Sequence, residues 1–417
     1  MCTFASSKLK ALDAKQIIII GGGAAGFFAA INCAENYPDY KVLLVEKGSK
    51  VLTKVRISGG GRCNLTNACF DNNILVKNYP RGEKELRNVF SRFSTNDTIN
   101  WFEKRGVKLK TEDDGRMFPS SDNSETIVNC LLQEAKKAGV QIKLNIEIEE
   151  ILKNENKTFT LKLKDSGTFS CDKLIIATGG SSNEHAYNWL KKLGHTIIKP
   201  VPSLFTFNVP NNTITALMGV SVPFAKIRIA GTKLETVGPL MITHWGLSGP
   251  AILKASAWGA RQLSDLGYNF IVIVNWLPKY TEEKLRIEFA NIRTENGAKL
   301  MINHCPVELP KRLWEYFLIK ANISETLRWG DLPKKSANIL INTLLNDEYK
   351  VQGKTTFKEE FVTCGGISLK EINLSTMQSK IIPNIYFAGE VLDIDGITGG
   401  FNFQNAWSTG WIAALCQ

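Results

Sequence analysis

Ile17-Ile18-Ile19-Ile20-Gly21-Gly22-Gly23-Ala24-Ala25-Gly26 decides the fold. Four consecutive branched residues suit a strand buried on both faces, as at the centre of a parallel sheet. Glycines at 21, 23 and 26 follow directly, and Ala24–Glu35 then has helix-forming composition. In such a turn the first glycine permits the bend. The second lets the backbone approach a pyrophosphate, and the third lets the helix pack close to the sheet. The helix N-terminus, with free N–H groups and a favourable dipole, receives the anion. The next strand, Lys41–Glu46 (KVLLVE), ends on an acid placed to bond a ribose hydroxyl. Strand, glycine turn, helix, strand and acid make a βαβ dinucleotide-binding unit of about 30 residues. An acid at position 46 suits an unphosphorylated ribose, as in FAD or NAD.

Two further segments favour FAD. Ser58-Gly59-Gly60-Gly61-Arg62-Cys63-Asn64 sets three glycines beside an arginine, allowing close backbone approach and charge pairing with phosphate. Near the C-terminus, Asn384–Gly389 (NIYFAG) runs into Glu390, Asp393 and Gly399-Gly400-Phe401-Asn402. A strand ending in glycine and an acid suits the flavin ribityl and phosphate. A helix near Asn405 to Ala414 can aim its start at the flavin ring.

Working outward, Asn96–Arg105 and Ser124–Ala138 are predicted as amphipathic helices, the latter stopped by Gly139. Gln141–Glu147, Thr158–Lys164, Thr168–Cys171 and Lys173–Thr178 are predicted strands, with a turn at Asp165-Ser166-Gly167. After about Gly194 the character changes. Lys226–Ala230, Gly238–Thr243 and Asn269–Asn275 are short strand-like runs among frequent Pro and Gly, which predicts a small antiparallel sheet or barrel. Lys284–Ile292, Pro310–Ala321 and Ser336–Leu345 are predicted helices, and a strand returns near Glu360–Thr363. The expected fold class is α/β. A Rossmann-like FAD domain (1–195 and 359–417) is interrupted by a barrel-like insert (196–280) and a small helical insert (281–358).

Composition narrows the classes. The 417 residues are 44% hydrophobic and 22% charged, an ordinary globular balance. No apolar run approaches the roughly 20 residues of a membrane span, and the first sixteen residues lack a signal-peptide core. Nine cysteines without CxxC spacing argue against a disulfide framework and a zinc site, and reduced thiols suit the cytoplasm. Lys plus Arg is 51 against 40 acids, a net +11. This charge is spread without a concentrated stripe, which argues against nucleic acid and suits an anionic cofactor or substrate.

The motifs GGGAAG, ISGGGRCNLTN, IIATGG, THWGLSGPA, VTCGGIS and YFAGEVLDIDGITGGFNFQNAWSTG, in this order from Ile17 to Ala414, resemble the bacterial flavoproteins known as NAD(P)/FAD-dependent oxidoreductases. Aminoacetone-oxidase-like and bile-acid-intermediate-reductase-like proteins are among them. The resemblance implies a glutathione-reductase-type FAD domain with the two inserts, and noncovalent FAD. It assigns Gly21, Gly23 and Gly26, with Ala24 and Ala25, to the pyrophosphate, and Glu46, beside Lys47, to the adenosine ribose. Gly60, Gly61, Arg62, Cys63 and Asn64 become the flavin-proximal loop, and Ala177, Thr178 and Gly179 a second nucleotide contact. Gly389, Glu390 and Asp393 fall at the ribityl and phosphate end, and Gly400, Phe401, Asn402 and Asn405 near the ring.

The catalytic group is not evident from the sequence. Of four histidines, His185, His195 and His304 lie in ordinary contexts, and His244 in Thr243–Pro250 is the candidate to face substrate. The expected pocket lies where the barrel-like insert meets the ring, bordered by His244, Cys364 and Gly399–Asn405, with Phe401 and Trp407 as apolar walls. Cys63 and Cys364 sit beside glycines and are expected as small packed residues. No second glycine fingerprint follows a strand, so NAD(P)H as reductant would stack transiently on the flavin. The expected activity is hydride transfer between a small organic substrate and FAD. An oxygen-using amine-type oxidase, a flavin-dependent RNA-modifying enzyme and a non-catalytic flavin-binding regulator stay open beside it.

Overall fold

The computed structural model describes residues 15–355 and 362–417. The described residues divide into two compact units, one drawn from 1–200, 365–394 and 399–417 and the other from 201–364 and 395–398.

In the first unit the branched run forms the strand Gln16–Ile20, with Ile17, Ile18 and Ile19 wholly buried. It lies between Lys41–Val45 and Lys173–Ile176, both parallel to it, with Ile18 opposite Leu43 and Leu174. Gln141–Lys143 and Ile385–Phe387 extend the parallel sheet outward. Gln378–Ser379 and Ile372–Asn373 add two antiparallel strands at one edge. Runs of Val, Ile and Leu without alternation are what such two-sided burial needs. The helix Ala24–Asn36 and the last helix, Phe401–Ala414, pack closely, and Gly410 is why they can: a Cβ there would lie 2.8 Å from Ala25 O.

Several boundaries differ from the sequence reading. The strand expected over Gln141–Glu147 stops at Lys143, because Asn145 turns to φ +58. A separate strand, Ile148–Lys153, then pairs with Phe159–Leu163, which pairs with Thr168–Cys171 across the expected turn. The last helix starts at Phe401, earlier than Asn405. The returning strand is Val362–Ile367, and residues 360–361 of the stretch assigned to it lie outside the described residues.

In the second unit one antiparallel sheet runs in the order Asp347–Gln352, Asn269–Asn275, Ser221–Ile229, Glu235–Ile242, Gly246–Ser248, Thr206–Asn208, Lys354–Thr355. Its two edge strands are joined by Gly353 alone (φ +87), whose N–H bonds Tyr268 O and whose carbonyl accepts from Asn208 N–H. The sheet therefore curls back on itself like a barrel. The stretch after Ser248 is helical, contrary to the strand-and-turn reading. Pro250 opens the helix Pro250–Trp258 at its first turn, and Ala260–Asp265 follows. The helices Glu282–Glu295, Lys311–Lys320 and Lys334–Leu345 share one apolar cluster with the sheet, built around Trp276, Trp314, Phe317 and Trp329.

Candidate flavin site

All of the sequence-predicted cofactor residues fall in the first unit. Gly21 (φ +113) lies so close to the neighbouring strand that a Cβ would sit 2.3 Å from Ala177 O, and a Cβ on Gly26 would sit 1.8 Å from Gly21 O. These two glycines are demanded by the protein's own packing. Gly23 is different: a Cβ there would meet nothing within 4 Å. It caps the helix with no side-chain bond, so the first N–H groups stay open.

Glu46 is held from both sides. Its Oε2 accepts from Gly22 N–H and its Oε1 from Gly48 N–H, each at 2.7 Å. A carboxylate has about four acceptor positions, so two remain for ribose hydroxyls. Lys47, next in the chain, is exposed.

The glycine run after Glu46 is not the plain loop expected from its composition. The helix Thr53–Gly61 is broken inside, with Ser58 extended and Gly59 and Gly60 at φ +58 and +70. Gly61 continues at φ +82 and Cys63 at φ +61. Gly60 and Gly61, like Gly179 (φ +72) beyond Ala177 and Thr178, have nothing within 4 Å of a built Cβ. Three backbones thus turn bare faces outward. Arg62 does not: its guanidinium bonds Glu112 at 2.6 Å, reaches Asp122 at 3.5 Å and lies 4.0 Å from the Phe118 ring centroid. Its charge is matched within the protein, and the Glu112 bond raises its pKa further. Burial pushes the Cys63 thiol up to about 12, so it stays protonated at neutral pH. Cys364, in the second unit, is wholly buried beside Val201 and Ala260.

The C-terminal segment joins this loop through bonds the sequence does not reveal. Asn64, with its amide nitrogen turned to Thr66 O (3.0 Å), accepts from Gly400 N–H at 2.9 Å. Asn67 donates to Gly399 O, Trp407 to Leu65 O and Tyr79 to Phe401 O. A Cβ on Gly389 (φ +75) would lie 2.8 Å from the Ala25 side chain, and Lys54 pairs with Glu390 at 2.8 Å. Asp393 is half-buried and its N–H bonds Ile367 O. Asn402 is half-buried at the start of the terminal helix. Asn405, one turn in, is buried with an Oδ1 that has no partner. Thr66, Asn67, Tyr79 and Lys54 were not singled out by sequence, because each acts only through a partner distant in the chain.

These residues fit FAD. Unobstructed backbone at Gly23, Gly60, Gly61 and Gly179, a fixed carboxylate and an orphaned buried amide oxygen are what a large polar dinucleotide would satisfy.

His244 is exposed in the turn after Glu235–Ile242, its ring edge-on to Trp245. His195 is a packed residue. Ser379 Oγ accepts from Ile381 and Ile382 N–H, so its own proton goes to His195 Nε2 (3.1 Å), and His195 Nδ1–H donates to Glu371 (3.1 Å). The neutral ring is satisfied on both sides. Burial lowers its pKa against the pull of Glu371. Burial also opposes ionisation of Glu371, but the Thr196 and His195 bonds outweigh it and hold that carboxyl below its usual range. Below about pH 6.5 the unfolded chain binds the histidine proton that the folded one refuses. This contribution to stability is therefore complete above that pH and lost as pH falls. Urea unfolding between about pH 7.5 and 5.5 should show a steeper loss for the wild type than for His195→Gln. Equal slopes would refute the assignment.

The protein is an FAD-dependent oxidoreductase of the Rossmann type, shown by its family and its relatives. Its family is the HI0933-like protein Rossmann domain family, whose profile matches residues 15–416, and the chain belongs to it. A ribosomal RNA dihydrouridine synthase of Escherichia coli is 32% identical over 407 residues, covering 95% of this chain and 96% of that protein. A 3-dehydro-bile acid delta(4,6)-reductase of Clostridium scindens is 28% identical over 415 residues, covering 95% and 98%. Among solved structures, the 3-ketosteroid-delta4-(5alpha)-dehydrogenase of Rhodococcus jostii shares the fold. Its TM-score is 0.50 at 12% identity, over 98% of this chain and 99% of that one. Among the described residues no helix is long and apolar enough to cross a membrane.

Proposed function

We propose that this flavoprotein saturates a carbon–carbon double bond conjugated with a carbonyl, and that the bond is C5=C6 of uracil in ribosomal RNA. The flavin cradle carries the redox assignment. The narrower reading is supported by the relative named a ribosomal RNA dihydrouridine synthase, matched over nearly the full length of both chains. The relative named a delta(4,6)-reductase also acts on a carbon–carbon double bond, which supports the reaction class independently of the substrate. This reading places RNA ahead of the small organic substrate favoured by the spread of charge. A small enone is the second reading, favoured by that same reductase.

Reduced FAD, when bound, supplies a hydride to the β-carbon of such a system. The neighbouring carbon takes a proton, and two electrons must return from a reductant, for which NAD(P)H is proposed. The chain's part is to hold the pyrophosphate at the open helix start, to fix the adenosine ribose by Glu46, and to exclude water. His244 is proposed as the residue facing substrate. The proposal keeps the division into an FAD-binding part (1–195 and 359–417), a barrel-like part (196–280) and a helical part (281–358).

Ribosomal RNA lacking the modification, incubated with the purified protein and NADPH or NADH, should yield a nucleoside heavier by two hydrogens on mass spectrometry. His244→Ala should slow reoxidation of the reduced flavin by RNA and leave FAD content unchanged. Unmodified RNA together with rapid reoxidation by a steroid-type enone would move the assignment to the second reading. Flavin bleaching by an amine and recovery in oxygen would replace both with an oxidase.

A further inference from the structure

We propose that the second unit carries an accessory RNA site, a surface pocket at Trp258 that takes one unpaired nucleotide by stacking its base and pairing its phosphate. The proposal rests on the RNA reading above and adds a place where the strand is held. The pocket has a volume of about 540 Å³ and lies between the loop residues Lys233 and Leu234 with the strand start Glu235–Val237 on one side and the helices carrying Lys254, Trp258 and Gln262 on the other. Lys254 and Trp258 are four apart on one helix and share its face, and Gln262 on the next helix lines the same pocket.

Gly259 sets the shape. A Cβ there would lie 2.5 Å from Leu234 Cδ2, so the chain after Trp258 packs closely on the residue that precedes the strand Glu235–Ile242. Trp258 is 44% exposed, and Val237 beside it is 38% exposed. An indole open to this degree beside two lysines offers a base a ring to stack on.

The polar groups are those a nucleotide needs. Glu235 is the one acid lining the pocket, and it is already neutralised by Lys226 at 2.9 Å. Among the described residues the Lys233 and Lys254 ammoniums have no ion-pair partner, and the Trp258 Nε1–H and the Gln262 amide have no bonding partner. Two unmatched cations, an open aromatic face and two spare polar groups make a stacking platform with an electrostatic clamp. Such a platform reads no sequence, so it would grip any flexible strand.

The test uses the full FAD-loaded protein and a fluorescent single-stranded oligouridine RNA, with binding read by anisotropy. Trp258→Ala should weaken binding about 10-fold and Trp258→Phe should restore most of it. Replacing Lys233 and Lys254 together by Ala should lower the slope of log affinity against log salt by about 0.7, the value for one phosphate contact on a single strand. Oligouridine containing 4-thiouridine should crosslink to peptides spanning residues 233–262. FAD content should not change. Unchanged affinity in Trp258→Ala, or crosslinks only elsewhere, would overturn the site. So would complete displacement of RNA by micromolar NADPH, which would assign the pocket to a free dinucleotide. The two readings separate cleanly: binding at Trp258 without reduction of uracil removes the functional reading alone, whereas reduction of uracil with full binding by Trp258→Ala removes the pocket alone.

Discussion

Gly23→Val should give a folded, colourless protein. The backbone at this position (φ −89, ψ −168) is open to a branched residue, and a Cβ there meets no protein atom within 4 Å. Nothing in the fold resists the change. What the two methyl groups occupy is the space before the free N–H groups of the helix Ala24–Asn36, where the pyrophosphate is proposed to bind. A loss of at least 100-fold in FAD affinity is expected, about 2.7 kcal/mol. The measurement is flavin absorbance per protein after gel filtration, beside the melting temperature of the flavin-free forms, which should match the wild type. Gly26→Val is the contrast. Its Cβ would fall 1.8 Å from Gly21 O, so the helix must move and the flavin-free melting temperature must drop. A yellow Gly23→Val protein would show that the pyrophosphate lies elsewhere.

The difference between these glycines marks what was legible in the sequence. The βαβ unit could be read because its signals are local: a buried strand type, a glycine spacing and an acid at the next strand end. Which glycine serves packing and which serves the ligand is invisible there, since it depends on what stands opposite. Ala177 and Gly21 are 156 positions apart in the chain and touch only in the sheet. Arg62 illustrates the same limit. Beside three glycines it looks like a phosphate ligand, yet Glu112, 50 positions on and just after the strand Leu109–Thr111, takes its charge. The helix Pro250–Trp258 was missed for a different reason. Glycines and Pro on its N-terminal side suggested turns, although Pro at the first helical turn is favourable and Ala-Ile-Leu-Lys-Ala-Ser-Ala behind it is good helix composition. His195 lay in an ordinary polar context, and its burial came from Glu371 and Ser379, both remote in sequence.

Gly400→Val should cost stability where Gly23→Val costs only flavin. Gly400 caps the terminal helix at φ +92, where a side chain is strained by about 1–2 kcal/mol before any contact is counted. Its Cβ would also lie 2.4 Å from Thr66 O, a backbone atom that cannot swing away. Thr66 is pinned by its strand pairing with Met117 and by its hydroxyl bond to Gln404 (2.6 Å), and Gly400 N–H is tied to Asn64. The clash therefore pushes apart the segment Asn64–Asn67 and the start of the last helix, and the N–H bond to Asn64 goes with it. A loss of more than about 3 kcal/mol is expected from strain, overlap and one broken buried bond together. Gly60→Ala serves as the control: its φ is also positive, at +70, but nothing lies within 4 Å, so only the smaller strain should appear. Saturating FAD raises the melting temperature of any form that still binds it. The decisive comparison is accordingly made without flavin, where Gly400→Val should melt well below the wild type, Gly60→Ala slightly below it, and Gly23→Val beside it. A Gly400→Val protein as stable as the wild type without flavin would mean that the loop and the helix start are not held together by this contact.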